Sequence, residues 1–245
     1  MKIKTLTPVH IGSGDRYMGL DFIIKGNKVI MLDLPNLFRK LEEDGKNVMK
    51  IIGDLRSKKT EVEDLVEDVE SFKLKEIPFE GENKREILKH VQSLGKPYIP
   101  GSSVKGAIRT ALLWKAVRDD QRLLNWTLNY IKNLRGRINP RKVDDALEAK
   151  VFRLSGLLNR DDPKNDLLRA LKVTDSGFFE NVKIYEVKYL NARSLSVCAE
   201  CIDAGDSAEI DVEVDEIVLS YLEQRLDFDG VKEATREFAR AIVDA

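Results

Sequence analysis

Residues 97–110, Pro97-Tyr-Ile-Pro-Gly-Ser-Ser-Val-Lys-Gly-Ala-Ile-Arg-Thr110, join a glycine-serine turn to a helix start and set two cations four residues apart. A serine pair at the mouth of a helix offers hydroxyls and free backbone N–H groups, and the helix dipole adds partial positive charge at the same end. Lys105 and Arg109 project from one helical face. The stretch therefore reads as an anion site opening a helix near Ser103, with Gly101, Ser102, Ser103, Lys105, Gly106 and Arg109 as candidate contacts. Val104, Ile108, Ala111 and Leu112 recur at helical spacing, so the same helix carries a core-facing side.

Period-two patterns lie on both sides of this helix. Ile3, Thr5, Thr7 and Val9 alternate with Lys2, Lys4 and Leu6, which predicts a strand over 2–9 running into a Gly12-Ser13-Gly14 turn. Residues 21–25 and 28–33 predict a hairpin across Gly26-Asn27, two residues that tolerate positive φ. Leu34, Leu37, Phe38 and Leu41 then recur at helical spacing, with Pro35 near the start and Gly45 as a stop. Residues 46–92 predict short, heavily charged helices, and Val62, Leu65, Val66 and Val69 read as a packed face rather than a binding stripe. Helical patterns persist to Phe152. After Asp161-Asp162-Pro163, strands are expected at 171–175, 182–189, 195–202 and 208–214, followed by amphipathic helices at 215–226 and 230–243.

Strands, then helices, then strands specify an α+β fold, of RRM-like (ferredoxin-like) type: an antiparallel sheet with helices on one face and helical insertions. One domain would span 1–214, with insertions near 35–92 and 115–165. The helices at 215–245 end inside a helical pattern with no capping glycine or proline, as a second, missing RRM-like part would begin.

Acids and bases nearly cancel, 42 against 41, which excludes the bulk basicity of a non-specific DNA coat and makes any nucleic-acid site local. With no signal peptide and no apolar run long enough to span a bilayer, a soluble cytoplasmic protein without membrane contact is expected. Cys198 and Cys201 fall three apart on a predicted strand, hence on opposite faces, and both histidines are distant in sequence. The pair reads as structural, not as a zinc site. Asp119-Asp120, Asp144-Asp145 and Asp161-Asp162 lack calcium-loop spacing and read as solvated faces or helix starts. No metal or cofactor is expected.

What anion would the opening stretch hold? A nucleotide P-loop needs lysine and a hydroxyl residue directly after its second glycine. Gly101 and Gly106 have the spacing, but Ala107-Ile108 follow, so ATP chemistry is excluded. Two further polar turns accompany the motif: His10-Ile-Gly12-Ser13-Gly14, where backbone can approach a phosphate or ribose, and Thr174-Asp175-Ser176-Gly177. Three such turns suit a chain of phosphates better than a single small molecule. Residues 132–142 add Arg135, Arg137 and Arg141 without an intervening acid, a candidate RNA-backbone contact or inter-subunit surface.

Three segments in order, Thr7-Pro-Val-His-Ile-Gly-Ser-Gly14, Tyr98-Ile-Pro-Gly-Ser-Ser-Val-Lys-Gly-Ala-Ile-Arg-Thr-Ala-Leu112 and Leu168-Arg-Ala-Leu-Lys-Val-Thr-Asp-Ser176, resemble the RAMP superfamily of CRISPR proteins. Within it, Thr5-Leu-Thr-Pro-Val-His10, Asp21-Phe22 and the Ala-Ile-Arg-Thr-Ala-Leu continuation resemble the subunit that caps the crRNA 3′ end in type III-A (Csm) effector complexes. The resemblance implies an RRM-like, non-catalytic, sequence-independent RNA-binding subunit, with Lys105, Arg109 and Ser102-Ser103 as primary contacts and His10, Ser13, Asp175 and Ser176 as secondary ones. Its implied partners are crRNA, the other Csm-complex RAMP subunits (chiefly the backbone subunit) and host ribonucleases acting in 3′-end maturation. The rival reading is a metal-independent endoribonuclease that processes repeat RNA with His10 as general base on a ribose 2′-hydroxyl. It lacks a second catalytic group, because His90 is expected in a charged helix.

Overall fold

The computed structural model describes residues 1–57, 59–65, 68–82, 86–134, 144–153, 163–189, 192–222 and 226–244. In chain order these form β1 (Lys2–Lys4), β2 (Gly12–Met18), β3 (Phe22–Lys25), β4 (Lys28–Leu32), α1 (Leu34–Glu43) and α2 (Val48–Arg56). There follow β5 (Lys73–Glu80), β6 (Glu86–His90), β7 (Gln92–Ser93), β8 (Lys96–Pro97), α3 (Gly101–Asp119), α4 (Gln121–Asn133) and α5 (Asp145–Phe152). The remainder holds β9 (Leu171–Val173), β10 (Val182–Tyr189), β11 (Ala192–Ile202), β12 (Ser207–Glu209), β13 (Val212–Val214), α6 (Glu216–Leu222) and α7 (Phe228–Val243). The fold is mixed α+β. It divides into one unit of Met1, Ile99–Ser176 and Glu209–Ala245, and a second of Lys2–Tyr98 and Gly177–Ala208.

The second unit is built on a seven-stranded sheet of order β2-β6-β11-β10-β5-β4-β3. The expected antiparallel sheet is mixed instead: β10 runs parallel to β5, and β11 parallel to β6. The cause is the β10–β11 hairpin, which returns from far along the chain and inserts between β5 and β6, a pairing without any local sequence signal. The Gly26-Asn27 hairpin forms as expected, with Gly26 at φ +60°. Successive residues of β3 and β4 bury on opposite faces. Ile23, Ile30 and Leu32 pack with Leu37 and Leu41 of α1, Leu55, Val62 and Val69. Phe22, Val29 and Met31 join Ile77, Phe79, Ile87, Ile184 and Cys198 on the other face. That two-sided burial explains why Phe-Ile-Ile and Val-Ile-Met-Leu read as continuous apolar runs.

α1 starts on Asp33, whose carboxylate accepts from Asn36 N at 3.1 Å, and stops before Gly45 at φ +75°. Residues 46–92 depart from the all-helical expectation. α2 and two short 3₁₀ turns (Val62–Leu65, Val69–Phe72) give way to strands β5 and β6. In Lys73-Leu-Lys-Glu-Ile-Pro-Phe-Glu80 only Ile77 and Phe79 are buried, so the charged face obscures the period of two. The expected strand over 2–9 is also shorter: β1 ends at Lys4, and Val9 rejoins the fold through a bridge to Ile202. Of the predicted packed face, Val62 and Val69 are buried and Leu65 is half-buried, whereas Val66 lies outside the described residues.

In the first unit α3 buries Ile108 against Phe152, Leu168, Leu171 and Val231, with Val104 and Leu112 alongside. α7 packs on α3 through a tilted Trp114–Phe238 pair at 5.6 Å, and Lys115 and Arg118 both reach Glu237 at 2.7 Å. β9 and β13 pair antiparallel, so the strand expected at 208–214 is split into β12 and β13.

Candidate functional site

α3 begins at Gly101, two residues ahead of the expected start, after Pro100 as N-cap with no side-chain cap bond. Neither serine caps it. Asp175 does, accepting from Gly101 N at 2.8 Å, so a carboxylate of the chain itself sits at the positive end of the helix dipole. Next to it Ser176 Oγ accepts from Ile99 N at 2.9 Å while Ser176 N donates to Ile99 O at 3.0 Å. A Cβ on Gly101 would fall 2.4 Å from Thr174 O and 2.5 Å from Val173 O. Glycine is required at 101 because two stretches of backbone meet there. The 97–110 and 174–177 motifs, read from sequence as separate grips, thus form one assembly.

The two cations turn inward. Lys105 Nζ donates to Leu171 O at 2.8 Å, and partial burial lowers the ammonium's pKa. Arg109 grips Glu148 Oε2 through Nε at 2.8 Å and Nη2 at 2.6 Å, and reaches Asp166 Oδ2 at 2.9 Å. Its guanidinium carbon lies 4.3 Å above the Phe152 ring centroid. Burial works against the charge, but the hydrogen bonds from Glu148 and Asp166 outweigh it and raise the pKa. Arg109 thereby ties α5 and the 163–170 segment to α3. What α3 offers outward is different: Ser102, Gly106, Ala107 and Thr110 are exposed, and among the described residues nothing lies within 4 Å of a Cβ built on Gly106.

The expected Gly12-Ser13-Gly14 turn is the start of edge strand β2, with Gly14 at φ +91° and a register shift between Gly12 and Arg16. Ser13 Oγ donates to Lys89 O at 3.2 Å. His10 bonds through Nδ1 to Glu200 O at 2.8 Å, and since a carbonyl only accepts, Nδ1 carries the proton. His90, expected in a charged helix, ends strand β6 and is fully buried. Its Nδ1 accepts from Ile11 N at 3.2 Å and its Nε2–H donates to Tyr98 O at 3.1 Å, a neutral tautomer; burial lowers its pKa. The two imidazoles meet edge to face at 6.0 Å.

Glu200 is the residue that motif reading misses. Fully buried in β11, it accepts from Lys75 Nζ at 3.0 Å, from Gln92 Nε2 at 2.9 Å and from His90 N at 3.2 Å. Its one sequence signal is an acid within the otherwise apolar end of β11, Val197-Cys-Ala-Glu-Cys-Ile202. Glu200 is committed to these donors, and both His90 ring nitrogens are engaged. Cys198 and Cys201 are both buried, and burial pushes each thiol up to about 11. Arg135, Arg137, Arg141, Asp161 and Asp162 lie outside the described residues. No group of three or more His, Cys, Asp or Glu that could hold a metal occurs among the described residues, and none of their helices is long and apolar enough to cross a membrane.

The model of the RAMP superfamily matches residues 2–238. The chain belongs to the RAMP superfamily. This RAMP chain is 26% identical over 247 residues to the CRISPR system Cms protein Csm5 of Streptococcus thermophilus, covering 86% of the chain and 62% of the relative. It is 23% identical to the protein of the same name from Methanocaldococcus jannaschii, covering 100% of the chain and again 62% of the relative. It therefore spans about three fifths of the length of these curated relatives. Among solved structures, it superposes on T. onnurineus Csm5 with a TM-score of 0.83 at 24% identity, over 99% of this chain and 80% of that one. A chain of a Csm-crRNA-target RNA ternary complex of a type III-A CRISPR-Cas system gives a TM-score of 0.76 at 24% identity, over 99% and 75%. At that identity the superpositions speak for the fold.

Proposed function

We propose that this RAMP protein is a non-catalytic, RNA-binding subunit of a type III-A (Csm) CRISPR effector complex, acting in antiviral defence. In this reading it contacts the 3′ region of crRNA in the cytoplasm, docks on the backbone subunit, and supports 3′-end maturation by host ribonucleases. The observation that carries it is the family match over residues 2–238 together with two curated relatives that both bear the Csm5 name. An RRM-like fold is part of the same reading.

The geometry refines the contact surface. RNA would lie on the outward face of α3, where Ser102, Gly106 and Thr110 follow at four-residue intervals and allow a phosphate backbone close to the helix. Lys105, held by a carbonyl, keeps its positive charge behind this face, whereas the charge of Arg109 is offset by Glu148 and Asp166. Gly12, Ser13 and Gly14 would present edge-strand backbone to the same kind of ligand. Reconstitution of a Csm complex with this chain and a crRNA tests the reading. Incorporation, and ultraviolet crosslinks from the 3′ part of the crRNA to this chain, are expected. Crosslinks confined to other subunits would refute RNA contact, and RNA cleavage in EDTA that is lost in His10→Ala would refute the non-catalytic role.

A further inference from the structure

In the second unit four lysines each lie over an aromatic ring. Lys75 and Lys89 stand 5.7 and 5.4 Å from the Tyr17 centroid, Lys96 5.7 Å from Phe178, and Lys183 4.9 Å from Tyr185. Three of these lysines, Lys75, Lys96 and Lys183, line one cavity, whereas Lys89 and the rings of Tyr17, Phe178 and Tyr185 do not. A volume of about 620 Å³ is lined by Lys75, Gln92, Lys96, Phe179, Lys183 and Asp203 among others. Lys75 also belongs to the Tyr17 cluster, because it lies over that ring, and Gln92 meets Lys75 on the Glu200 carboxylate. Asp203 binds the Tyr185 hydroxyl at 2.6 Å and so connects the far end. These contacts join Tyr17 and Lys89 to one end of the cavity and Tyr185 to the other, a lane of linked side chains.

The charges in this lane are unequal in availability. Lys75 is held by Glu200 and Lys183 by Glu80 at 2.7 Å. Glu76 on the cavity wall pairs with Lys28 at 2.5 Å. Lys89 and Lys96 have no carboxylate partner among the described residues, and Phe178 keeps 42% of its surface exposed. Glu180 also lines the cavity. Ammonium groups without carboxylate partners, each over an aromatic ring and on or beside the wall of a cavity of nucleotide size, match single-stranded nucleic acid: phosphate for the cations and a base for the exposed Phe178 ring. An acidic protein surface would satisfy the lysines but would leave the rings and the cavity unused.

We propose that this cavity and the adjoining Tyr17 ring form a second RNA contact, which takes one or two nucleotides of a single strand, with Lys96 on the cavity wall and Lys89 over Tyr17 as its phosphate contacts. It deepens the RNA-binding reading above and rests on it. Lys89 and Lys96 lie outside the family-like segments, although Pro97 on the cavity wall opens the 97–110 stretch.

The test is RNA affinity of the full chain for a single-stranded RNA across a salt series, for wild type, for Lys89→Ala with Lys96→Ala, and for a control pair on α2 and its approach, Lys46→Ala with Lys50→Ala. Two phosphate contacts contribute a slope of about 1.4 in log K against log salt, equivalent to roughly 25-fold in affinity at 0.1 M relative to 1 M. The lane pair should lose that slope and that affinity at unchanged thermal stability, and the control pair should keep both. Equal slopes in wild type and the lane pair overturn the cavity as an RNA site and leave the α3 reading standing. Equal losses in both pairs overturn it as well, in favour of diffuse electrostatics. If the lane pair instead loses only its hold on neighbouring Csm subunits, the lane is a protein interface and the proposal is wrong. If wild type binds no RNA either alone or in the reconstituted complex, the RNA-binding reading itself fails. Photocrosslinked peptides give a second readout: adducts within 92–97 or 178–185 support the lane, and adducts confined to 98–112 overturn it.

Discussion

Gly106 separates a structural from a functional account of the α3 motif. It sits inside a 19-residue helix, is exposed, and has open space around a built Cβ among the described residues. A glycine in such a position costs a helix about 0.8–1 kcal/mol relative to alanine. Gly106→Ala should therefore stabilise the protein by about that amount, or about 2–4 °C in a chain of this size, and Gly106→Leu by slightly less. Gly101→Ala in the same motif should do the opposite. Its Cβ would meet two carbonyl oxygens at 2.4 and 2.5 Å, backbone atoms that cannot swing aside, and a loss of about 3 kcal/mol is expected. If RNA lies along Ser102, Gly106 and Thr110, Gly106→Leu places a side chain where the phosphate backbone passes and weakens binding at least tenfold, about 1.4 kcal/mol. Denaturant unfolding and RNA titration on the same preparations measure both. A Gly106→Leu protein that is stabilised and binds RNA like wild type refutes contact at this face. One destabilised by more than about 1 kcal/mol refutes the open space on which the reasoning stands.

Arg109→Ala should lower stability by about 1–3 kcal/mol, between exposed and buried ion pairs, because Glu148 and Asp166 lose their cation in a site where the arginine side chain is 23% exposed. Arg109→Lys should recover only part, having no guanidinium fork, and an unchanged denaturation midpoint with abolished RNA binding would show instead that Arg109 meets RNA directly. His90 makes stability pH-dependent. Burial holds its folded pKa below the unfolded value of 6.5, so its contribution is complete above that pH and is lost on acidification as the unfolded state takes up a proton that the folded state refuses. The slope approaches about 1.4 kcal/mol per pH unit between the two values. His90→Gln keeps an acceptor for Ile11 N and a donor for Tyr98 O; its unfolding free energy should be flatter than wild type between pH 6.5 and 5.5, and identical slopes would contradict the neutral tautomer.

Local periodicity made much of this fold legible. The Gly26-Asn27 hairpin, α1 with its Asp33 start and Gly45 stop, β10 at 182–189 and the apolar side of α3 all follow from contacts within a few residues of one another. β5 and β6 were hidden because burial on one face only, beneath charged neighbours, leaves Lys73–Glu80 looking like a polar helix. The parallel pairs β5–β10 and β6–β11 had no local signature, since the partners lie about 100 residues apart. The candidate residues of the site were chosen by type, and type does not reveal their engagements. A lysine and an arginine four apart on a helix read alike whether they face solvent or reach a carbonyl and two carboxylates, and those partners come from residues 148, 166 and 171.

That difference reorganises the Gly-Ser-Ser-Val-Lys-Gly motif into two faces with separate work. The inward face is architectural: Gly101 admits the backbone of 173–174, Asp175 neutralises the first free N–H, Lys105 binds Leu171, and Arg109 gathers α5 and the 163–170 segment. These bonds use the donors that would otherwise await a phosphate, so a bound strand cannot be held chiefly by them without breaking the unit apart. The outward face has the complementary composition, hydroxyls and a hydrogen side chain with nothing packed on them. Binding there would be weak per nucleotide and indifferent to base identity, as the proposed role on many guide sequences would require, and it would depend on further contacts along the strand for affinity. The proposed second contact at Lys89 and Lys96 would supply contacts of that kind, and with it the salt slope of the whole chain should exceed what α3 alone accounts for.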